Sequence, residues 1–282
     1  MVRRLLSVAA LAIAAVSIVI VSQSKLMHGA RGAPAELDMS RLSPVFSEDF
    51  DAPLNVSPWG PNTRWIAHTP WHGDFGDAQF ADPRLGFPFT ISDGILHIEA
   101  RKDANGKWQS GLLSSADENG RGFSQVYGYF EMRAKLPPGP GVWPAFWLGT
   151  IADKSAPPSA GLEVDALEYY GHAPDAYQAN IHVWQPDGSD NRDTRYRPHS
   201  IEVPFGSLTA DFNTYGVLVT PDWIIFYLNR REVARDKTPP EHHRPLHILL
   251  NLALGSGFPI DKTPNPSFMD VDYVHAYKLL DK

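Results

Sequence analysis

Apolar and polar residues alternate along most of the chain after residue 36, as they do in β-strands with one buried face. The segment YFEMRAKL alternates apolar residues with Glu131, Arg133 and Lys135, and PLHILLNLAL places leucine or isoleucine at every second position. Runs with a helical period are hard to find, and the 25 prolines and 22 glycines are scattered between the strand-like runs as turn residues. This pattern predicts an all-β fold, a two-sheet antiparallel β-sandwich or jelly roll.

The first 35 residues have a different pattern. A basic start, MVRR, precedes an unbroken apolar run at residues 5–21, and a segment of small and polar residues follows. This order is typical of a secretory signal peptide, with a cleavage site after Ala35. The apolar run is longer than most signal peptides contain and slightly short for a membrane span, so an uncleaved anchor is the alternative. Both interpretations export residues 36–282, a single domain, to the periplasm or the extracellular space.

Charge and composition exclude several functions. The formal net charge of −7 leaves no basic face for nucleic acid and does not favour an anionic membrane surface. The absence of cysteine excludes disulfides and thiolate metal sites. We expect a monomer that meets a membrane only through the N-terminal segment, if that segment is retained.

Three acids lie in one strand-like segment, GLEVDALEYYGH. In a regular strand Glu163 and Asp165 share a face, whereas Glu168 points the other way. The apolar residues of the segment show the same change of parity. One extra residue near Ala166 and Leu167, a β-bulge, corrects both and puts the three acids in one row.

The spacing of this row suggests its chemistry. With the bulge, the carboxyl groups of Glu163 and Glu168 lie about 5–6 Å apart, close to the separation found in retaining glycosidases. Three crowded acids cannot all ionise freely, so at least one pKa is raised. A calcium site or a solvated acidic face is the alternative. Calcium ligands usually converge from loops and carbonyls, whereas these acids lie along an otherwise apolar strand.

The segment EVDALE, preceded by GYFEMRAKLPPGPGVWPAFW and accompanied by SDGILHIEA and LLNLALG, resembles glycoside hydrolase family 16 in its bulged form. The resemblance extends from about residue 45 to 278 in the order of the family. It implies a jelly roll with an open concave cleft that cuts β-linked glucans or galactans with retention. It also implies that Glu163 is the nucleophile, that Glu168 is the acid/base and that Asp165 positions the nucleophile.

The same resemblance implies several substrate-binding side chains. Trp143 and Trp147 resemble aromatic residues that stack on sugars in the family's cleft, although two core tryptophans are the alternative. Asn180 and His182 alternate on one face, and His182 resembles a histidine that contacts sugar near the scissile bond. A strand histidine that is merely hydrogen-bonded is equally compatible with the pattern. Three further cleft candidates are Trp65, Arg84 and Asn251.

Residues 59–89 interrupt the alternation and are rich in aromatic side chains. Their sequence HTPWH holds His68 and His72, but the proline between them excludes the helix that a paired-histidine zinc motif requires. A long irregular segment in a compact domain is usually functional. We therefore expect this segment to form one wall of a cleft, either as a binding loop or as a loop held by its own aromatic rings.

No cofactor is expected in the reaction, and the resemblance is compatible with a structural calcium ion that takes no part in it. Members of the family often hold calcium on the convex side through carbonyls and one acid, and the matching positions here are Asp49, Gly94 and Asp272. The acid-rich segment PDGSDNRD, residues 186–193, is interpreted as a solvated loop.

The segment TRWIAHTPWHGDFGDAQFADP is similar to bacterial endo-glycanases that act on exopolysaccharides such as succinoglycan, and it departs from common laminarinases. We therefore predict an exported, retaining endo-β-glucanase that hydrolyses β-1,3/1,4-type linkages in an extracellular polysaccharide, specifically a bacterial exopolysaccharide. The alternatives are a laminarinase, a transglycosylase and a non-catalytic carbohydrate-binding protein on the same fold.

Overall fold

The computed structural model describes residues 35–280, apart from 152–154, 156 and 191–195. The apolar run of the predicted signal or anchor therefore lies outside the described residues. Among the residues that are described, no helix is both long enough and apolar enough to cross a membrane.

Strands make up most of the regular structure, as the alternation predicts. In chain order they are β1 (Leu42–Glu48), β2 (Val56–Ser57), β3 (Trp65–Ile66), β4 (Gln79–Phe80), β5 (Phe89–Ser92), β6 (Ile95–Lys102), β7 (Trp108–Ser110), β8 (Leu112–Ser114), β9 (Ser124–Gln125), β10 (Gly128–Lys135), β11 (Val142–Thr150), β12 (Gly161–Glu168), β13 (Ala176–Trp184), β14 (His199–Glu202), β15 (Asn213–Val219), β16 (Trp223–Leu228), β17 (Arg231–Lys237), β18 (Leu246–Leu254) and β19 (Ser267–Leu279). A 3-10 turn at Met39–Arg41 and a one-turn helix, α1 (Ser207–Ala210), accompany them.

The strands form two sheets. The front sheet, which carries the three acids, has the order β14-β13-β12-β11-β18-β8-β3-β2, with β9 beside β18. The back sheet has the order β17-β16-β15-β10-β19-β6-β7-β4, with β1 beside β19 and β5 beside β6. The pairing is antiparallel except for β2 with β3 and β4 with β7, which are parallel. The predicted antiparallel sandwich is confirmed, with these two pairs as exceptions: β2, β3 and β4 come from the irregular segment and its margin, where no alternation sets a direction.

The main core contains the apolar positions of the alternating pattern. Phe130 and Met132 of β10 are buried in it, as are Ile248 and Leu250 of β18. The intervening residues of β18 belong elsewhere: Leu249 joins a second apolar cluster. The even positions of β18 thus face the core, and its odd positions face the other side of the front sheet.

The predicted β-bulge in β12 is present. Asp165 pairs with Asn180 of β13, and Glu168 pairs with Gln178, so three residue steps on β12 span two on its neighbour. The register with β11 shifts at the same place. Ala166 and Leu167 both lie in the main core. The consecutive pair of core residues changes the parity of the strand and returns Glu168 to the face of the other acids.

Candidate active site

The three acids lie in one row on the outer face of the front sheet, as predicted. Their neighbours on β12, Leu162 and Val164, are core residues, so alternation sends the side chains of Glu163 and Asp165 to the opposite face. The Asp165 side chain is 8% exposed and that of Glu163 is 23% exposed. The row is therefore sheltered from solvent but open enough to meet a ligand.

Three neutral donors surround the carboxyl group of Glu168. The Trp143 indole Nε1 donates to Oε1 at 3.0 Å, and the Tyr170 hydroxyl donates to the same oxygen at 2.5 Å. The Asn180 amide Nδ2 donates to Oε2 at 2.7 Å. These contacts come from β11, from the residues just after β12 and from β13, so the carboxyl group is fixed from three sides.

The other end of the row is organised around His182. Its Nε2 lies 3.2 Å from Oδ2 of Asp165 and 3.8 Å from Oε1 of Glu163. Its Nδ1 lies 2.8 Å from Oδ2 of Asp190. The Trp184 indole stacks on the His182 ring, with centroids 5.4 Å apart, and donates to Oε2 of Glu163 at 3.1 Å. The His182 ring is thus held between carboxylates on both of its nitrogens.

Burial and crowding shift the pKa values of this cluster. Burial and the nearby carboxylate of Asp165 raise the pKa of Glu163 to about 8. The same two causes raise the pKa of Glu168, against hydrogen bonds from Tyr170 and Trp143 that lower it. Burial lowers the pKa of His182, but hydrogen bonding and charge from Asp165, together with Glu163 and Asp190, raise it to about 9.

The imidazole is therefore protonated at neutral pH and carries the positive charge of the cluster. Within the described residues, Glu163, Asp165 and His182 also form the one group of side chains spaced to hold a metal ion, with candidate ligand atoms within 4.8 Å of one another. The protonated imidazole already provides a cation there, although it faces more carboxylates than one positive charge can neutralise. An acid with a raised pKa beside ionised carboxylates can donate and accept a proton near neutral pH.

An aromatic wall borders the row on the β11 side. Trp143 lies against Phe75 at 5.4 Å between ring centroids, and Trp147 lies against Phe75 and Trp71 at 6.0 and 5.9 Å. Phe75 and Trp71 belong to the irregular segment, which thus contributes to the wall as expected. Elsewhere in that segment the rings of His68 and His72 each stack on the Trp59 ring at 4.3 Å. The loop is therefore also held by its own rings.

Two predicted sugar-binding residues are on the expected face but are covered. Trp147 is 5% exposed, and its Nε1 donates to Oδ1 of Asn251 at 2.9 Å. Asn251 is fully buried. Neither side chain offers an open surface for a sugar in this structure, because Phe75 and Trp71 lie over this part of the sheet. Trp143 is less buried and contacts Glu168 directly.

Two other predicted substrate residues lie away from the acid row. Trp65 is fully buried in the main core, where its Nε1 donates to Glu48 at 3.1 Å. Arg84 bonds Gln109 at 3.1 Å and lies over the Phe87 ring, beside the edge of the back sheet. Neither residue contacts the acid row.

The residues predicted to bind calcium do not fit a ligand set. Asp272 forms an ion pair with Arg133, and Asp49 lies 2.7 Å from Nε2 of His275. Gly94 occupies a turn with φ of +72° beside Asp51. A guanidinium on the Asp272 carboxylate would repel a divalent cation, so no step of the reaction is derived through calcium.

Sequence reasoning missed two residues of the site. Tyr170 follows Glu168 by two positions, and this same-face spacing was the available signal. Asp190 lies in the segment interpreted as a solvated loop, yet its side chain is 17% exposed and bonds His182. That contact joins a loop to a strand, and no local sequence pattern predicts it.

Comparison with known proteins agrees with this geometry. The family model described as "Glycosyl hydrolases family 16" matches residues 89–274. Two Rhizobium meliloti (strain 1021) proteins, endo-1,3-1,4-β-glycanases EglC and ExsH, are each 33% identical over 266 residues, which is 86% of this chain and 53% of the relative. The chain thus spans about half the length of these relatives. The X-ray structure of the laminarinase from Rhodothermus marinus superposes with a TM-score of 0.66 at 25% identity, covering 85% of this chain and 98% of that one.

Proposed function

The chain belongs to glycosyl hydrolase family 16, and we propose that it is a retaining endo-β-glucanase that cleaves β-1,3/1,4-type linkages. The observation that carries the proposal is the row of Glu163, Asp165 and Glu168 on the bulged strand, with separate sets of partners at its two ends. A non-catalytic carbohydrate-binding protein would have no need to keep three acids at the cost of their mutual repulsion.

The first step needs one proton and one carboxylate. Glu168 donates its proton to the glycosidic oxygen while the Glu163 carboxylate attacks the anomeric carbon. The bond from that carbon to the leaving oxygen breaks, the leaving sugar departs as an alcohol, and Glu163 becomes a glycosyl ester. The charge of His182, 3.8 Å away, and the Trp184 donor favour the ionised form of Glu163 before attack.

The second step returns the enzyme to its starting state. Glu168, now ionised, takes a proton from water as the water oxygen attacks the anomeric carbon, and the ester bond to Glu163 breaks. The donors from Trp143, Tyr170 and Asn180 stabilise the ionised Glu168 in this step. Two inversions at one carbon give overall retention.

One shared proton satisfies both raised pKa values. Burial makes it costly to ionise Glu163 and Glu168 together, so near neutral pH the pair holds a single proton. A glycosidic oxygen at Glu168 accepts a hydrogen bond only from the protonated acid. Substrate binding therefore places the proton on Glu168 and the negative charge on Glu163.

The substrate proposal is a neutral or weakly acidic β-glucan, with a bacterial exopolysaccharide favoured over laminarin. The β-1,3/1,4 linkages are supported by the endo-1,3-1,4-β-glycanase names of the two Rhizobium relatives, and the preference for an exopolysaccharide rests on the resemblance of the segment TRWIAHTPWHGDFGDAQFADP. A panel of laminarin, lichenan, curdlan, agarose and succinoglycan, scored for new reducing ends and oligosaccharide length, tests it. Chain-length redistribution without new reducing ends would instead show a transglycosylase, and cleavage of agarose alone would contradict the proposal.

Stereochemistry tests the assigned roles. Glu168→Ala removes the acid/base, so a substrate with an activated leaving group should form the ester and then wait for a nucleophile. Added azide, which needs no base, should restore turnover and give the β-glycosyl azide. An α-azide, detected by its anomeric proton coupling, would contradict retention.

Export is proposed from the basic, apolar and polar order of residues 1–35. Fractionation of cells that express the full chain, followed by N-terminal sequencing, distinguishes a cleaved signal peptide from a retained anchor. A start at Glu36 indicates a cleaved signal, and an intact terminus in the membrane fraction indicates an anchor.

A further inference from the structure

Tyr170 lies against the proposed acid/base, and its geometry supports a more specific role than general stabilisation of the ionised carboxylate. Its hydroxyl donates to Oε1 of Glu168 at 2.5 Å, and its ring is nearly parallel to that of Trp143, at 11° with centroids 6.2 Å apart. The rings of Phe258 and His172 contact its other sides at 5.6 and 5.8 Å. The phenol is therefore held from several directions, and its hydroxyl has a fixed aim.

The donors divide unequally between the two oxygens of Glu168. Oε1 accepts from both Tyr170 and Trp143, whereas Asn180 is the one donor to Oε2 among the residues that the structure describes. An indole N–H can only donate. Oε1 already accepts hydrogen bonds from this N–H and from the Tyr170 hydroxyl, so a proton on Oε1 would face two other donor hydrogens. The proton that leaves Glu168 then belongs on Oε2.

We propose that Tyr170 is a positioning residue that, with Trp143, holds Oε1 of Glu168 and so assigns the transferable proton to Oε2. The proposal rests on the function proposed above, in which Glu168 is first an acid and then a base. Hydrogen bonds to a charged carboxylate are worth more than those to a neutral one. Tyr170 therefore contributes most when Glu168 is ionised, after the leaving sugar has departed.

A cavity beside Glu168 agrees with this assignment. It has a volume of about 370 Å³ and is lined by Glu168, Tyr170, His172, Asn180 and Phe258, among others, but not by Glu163. It thus adjoins the acid/base and not the nucleophile, as space for a departing sugar should. Tyr170 forms part of its wall, so the alternative is that Tyr170 only lines this space.

The charged surroundings of Glu168 set the direction of the expected pH effect. The titratable groups that face it are Asp165 and Glu163 on its own strand, His182 on β13, and Tyr170, with His172 behind the phenol ring. Among these, Tyr170 lowers the pKa of Glu168 by its hydrogen bond, whereas burial and Asp165 raise it. Removing the hydroxyl should therefore raise the pKa of Glu168 further.

The test compares Tyr170→Phe with Tyr169→Phe. Tyr169 is the adjacent residue, but it is fully buried in the core and its hydroxyl makes no hydrogen bond within the described structure, so it controls for the loss of a phenol oxygen. For Tyr170→Phe we expect kcat on polysaccharide to fall about 10-fold, the loss expected for one hydrogen bond to a charged group. The alkaline limb of kcat/KM should move up by about half a pH unit or more. Tyr169→Phe should leave both unchanged.

The dependence of the rate on the leaving group shows whether Tyr170 positions Glu168 or only lines the cavity. A 2,4-dinitrophenyl glycoside leaves without protonation, so its ester formation should be nearly insensitive to Tyr170→Phe, whereas glycosides with poor leaving groups should lose the full factor. An equal loss for all leaving groups, or a change in KM alone with an unmoved pH profile, would show that Tyr170 only lines the cavity.

Measuring the pKa of Glu168 without substrate tests the positioning role of Tyr170 independently of the proposed function. Side-chain carboxyl carbons of ¹³C-labelled glutamate are titrated by NMR, with the Glu168 signal identified from its absence in Glu168→Gln. The Glu168 signal should titrate at higher pH in Tyr170→Phe than in the wild type, and an unchanged midpoint would overturn the proposal. If the wild type cleaves no glucan while this shift is present, the proposed function fails and the positioning contact stands.

Discussion

Glu131 in the back sheet and the acid row in the front sheet are carboxylates withdrawn from water, and they differ in what surrounds them. Glu131 is fully buried and accepts from Arg230 at 2.7 and 3.1 Å, one contact on each oxygen. Tyr277 adds a longer contact of 3.4 Å. In the front sheet, three carboxylates surround one charged partner, His182: those of Glu163, Asp165 and Asp190.

The difference separates a structural acid from reactive ones. A bidentate guanidinium compensates one carboxylate fully. The pair cannot exchange its proton near neutral pH because the hydrogen bonds to Glu131, and the charge of Glu131, raise the pKa of Arg230 further. In the front sheet one imidazolium faces several carboxylates, so burial and the excess negative charge raise the pKa of Glu163 to about 8 and raise the pKa of Glu168 as well. Incomplete compensation is what leaves the front sheet able to move protons.

The largest expected effect is the loss of turnover in Glu163→Gln. The amide cannot attack the anomeric carbon, so kcat should fall by about 10³-fold or more. Release of reducing ends measures it, with circular dichroism to show that the fold is intact. The matched change in the back sheet, Glu131→Gln, should leave kcat/KM within about twofold of the wild type. Substantial activity in a verified Glu163→Gln preparation would remove Glu163 from the role of nucleophile.

The same two substitutions should act in opposite directions on stability. Glu131→Gln leaves the partly exposed Arg230 without its counter-charge, so the free energy of unfolding should fall by about 2–3 kcal/mol. Glu163→Gln removes a carboxylate that burial disfavours in the folded state, so at pH 8 the free energy of unfolding should rise by about 1 kcal/mol. Urea denaturation of both variants at pH 8 measures these changes. If Glu163→Gln destabilised the protein as much as Glu131→Gln does, both carboxylates would stabilise the fold and the distinction between them would be wrong.

The sequence predicted the acid row better than the residues that bind to it. The evidence for the row lies in neighbouring residues, whereas the partners come from distant parts of the chain. The change of parity at Ala166 and Leu167 is local, so the bulge and the common face of the acids could be predicted from a few neighbouring residues. Asp190 reaches His182 through a loop contact that depends on the whole fold. Trp65 occupies a strand of only two residues, too short for alternation to show whether its ring faces the cleft or the core.

The predicted calcium positions show the same limit of spacing along the chain. Matching positions identify an acid, but they do not show which cation lies beside it. Here Arg133 on the neighbouring strand pairs with Asp272 and supplies the positive charge that a calcium ion would otherwise bring. The compensation again comes from across the sheet, where spacing along the chain carries no information.

An intermediate effect is expected for Asp190→Asn. The amide can still bond Nδ1 of His182, but the charge is lost, and since Asp190 helps to raise the pKa of His182, that pKa should fall. His182 should then lose its proton at lower pH, and kcat/KM should drop about threefold at pH 7 and about 10-fold at pH 8.5. The alkaline limb should move down, opposite to the shift expected for Tyr170→Phe. A pH–rate profile of each variant on one polysaccharide makes the comparison, and a downward shift in both would contradict the separate roles of the two ends of the row.

The smallest expected effect is on the pH dependence of stability, and it tests whether His182 is the compensating charge. Its pKa is raised in the folded state to about 9 from 6.5, so its contribution is fully present below pH 6.5 and is lost as the pH rises to about 9. Because Glu163, with its own raised pKa, also binds its proton more tightly in the folded state, both groups make stability fall as the pH rises through this window. The unfolding free energy of the wild type should fall between pH 6.5 and 9, and that of His182→Gln should fall less over the same range. Urea titrations at four pH values measure the slope, with Glu131→Gln as the variant whose slope should match the wild type. An equal slope in His182→Gln would show that the positive charge of the front sheet is not carried by this imidazole.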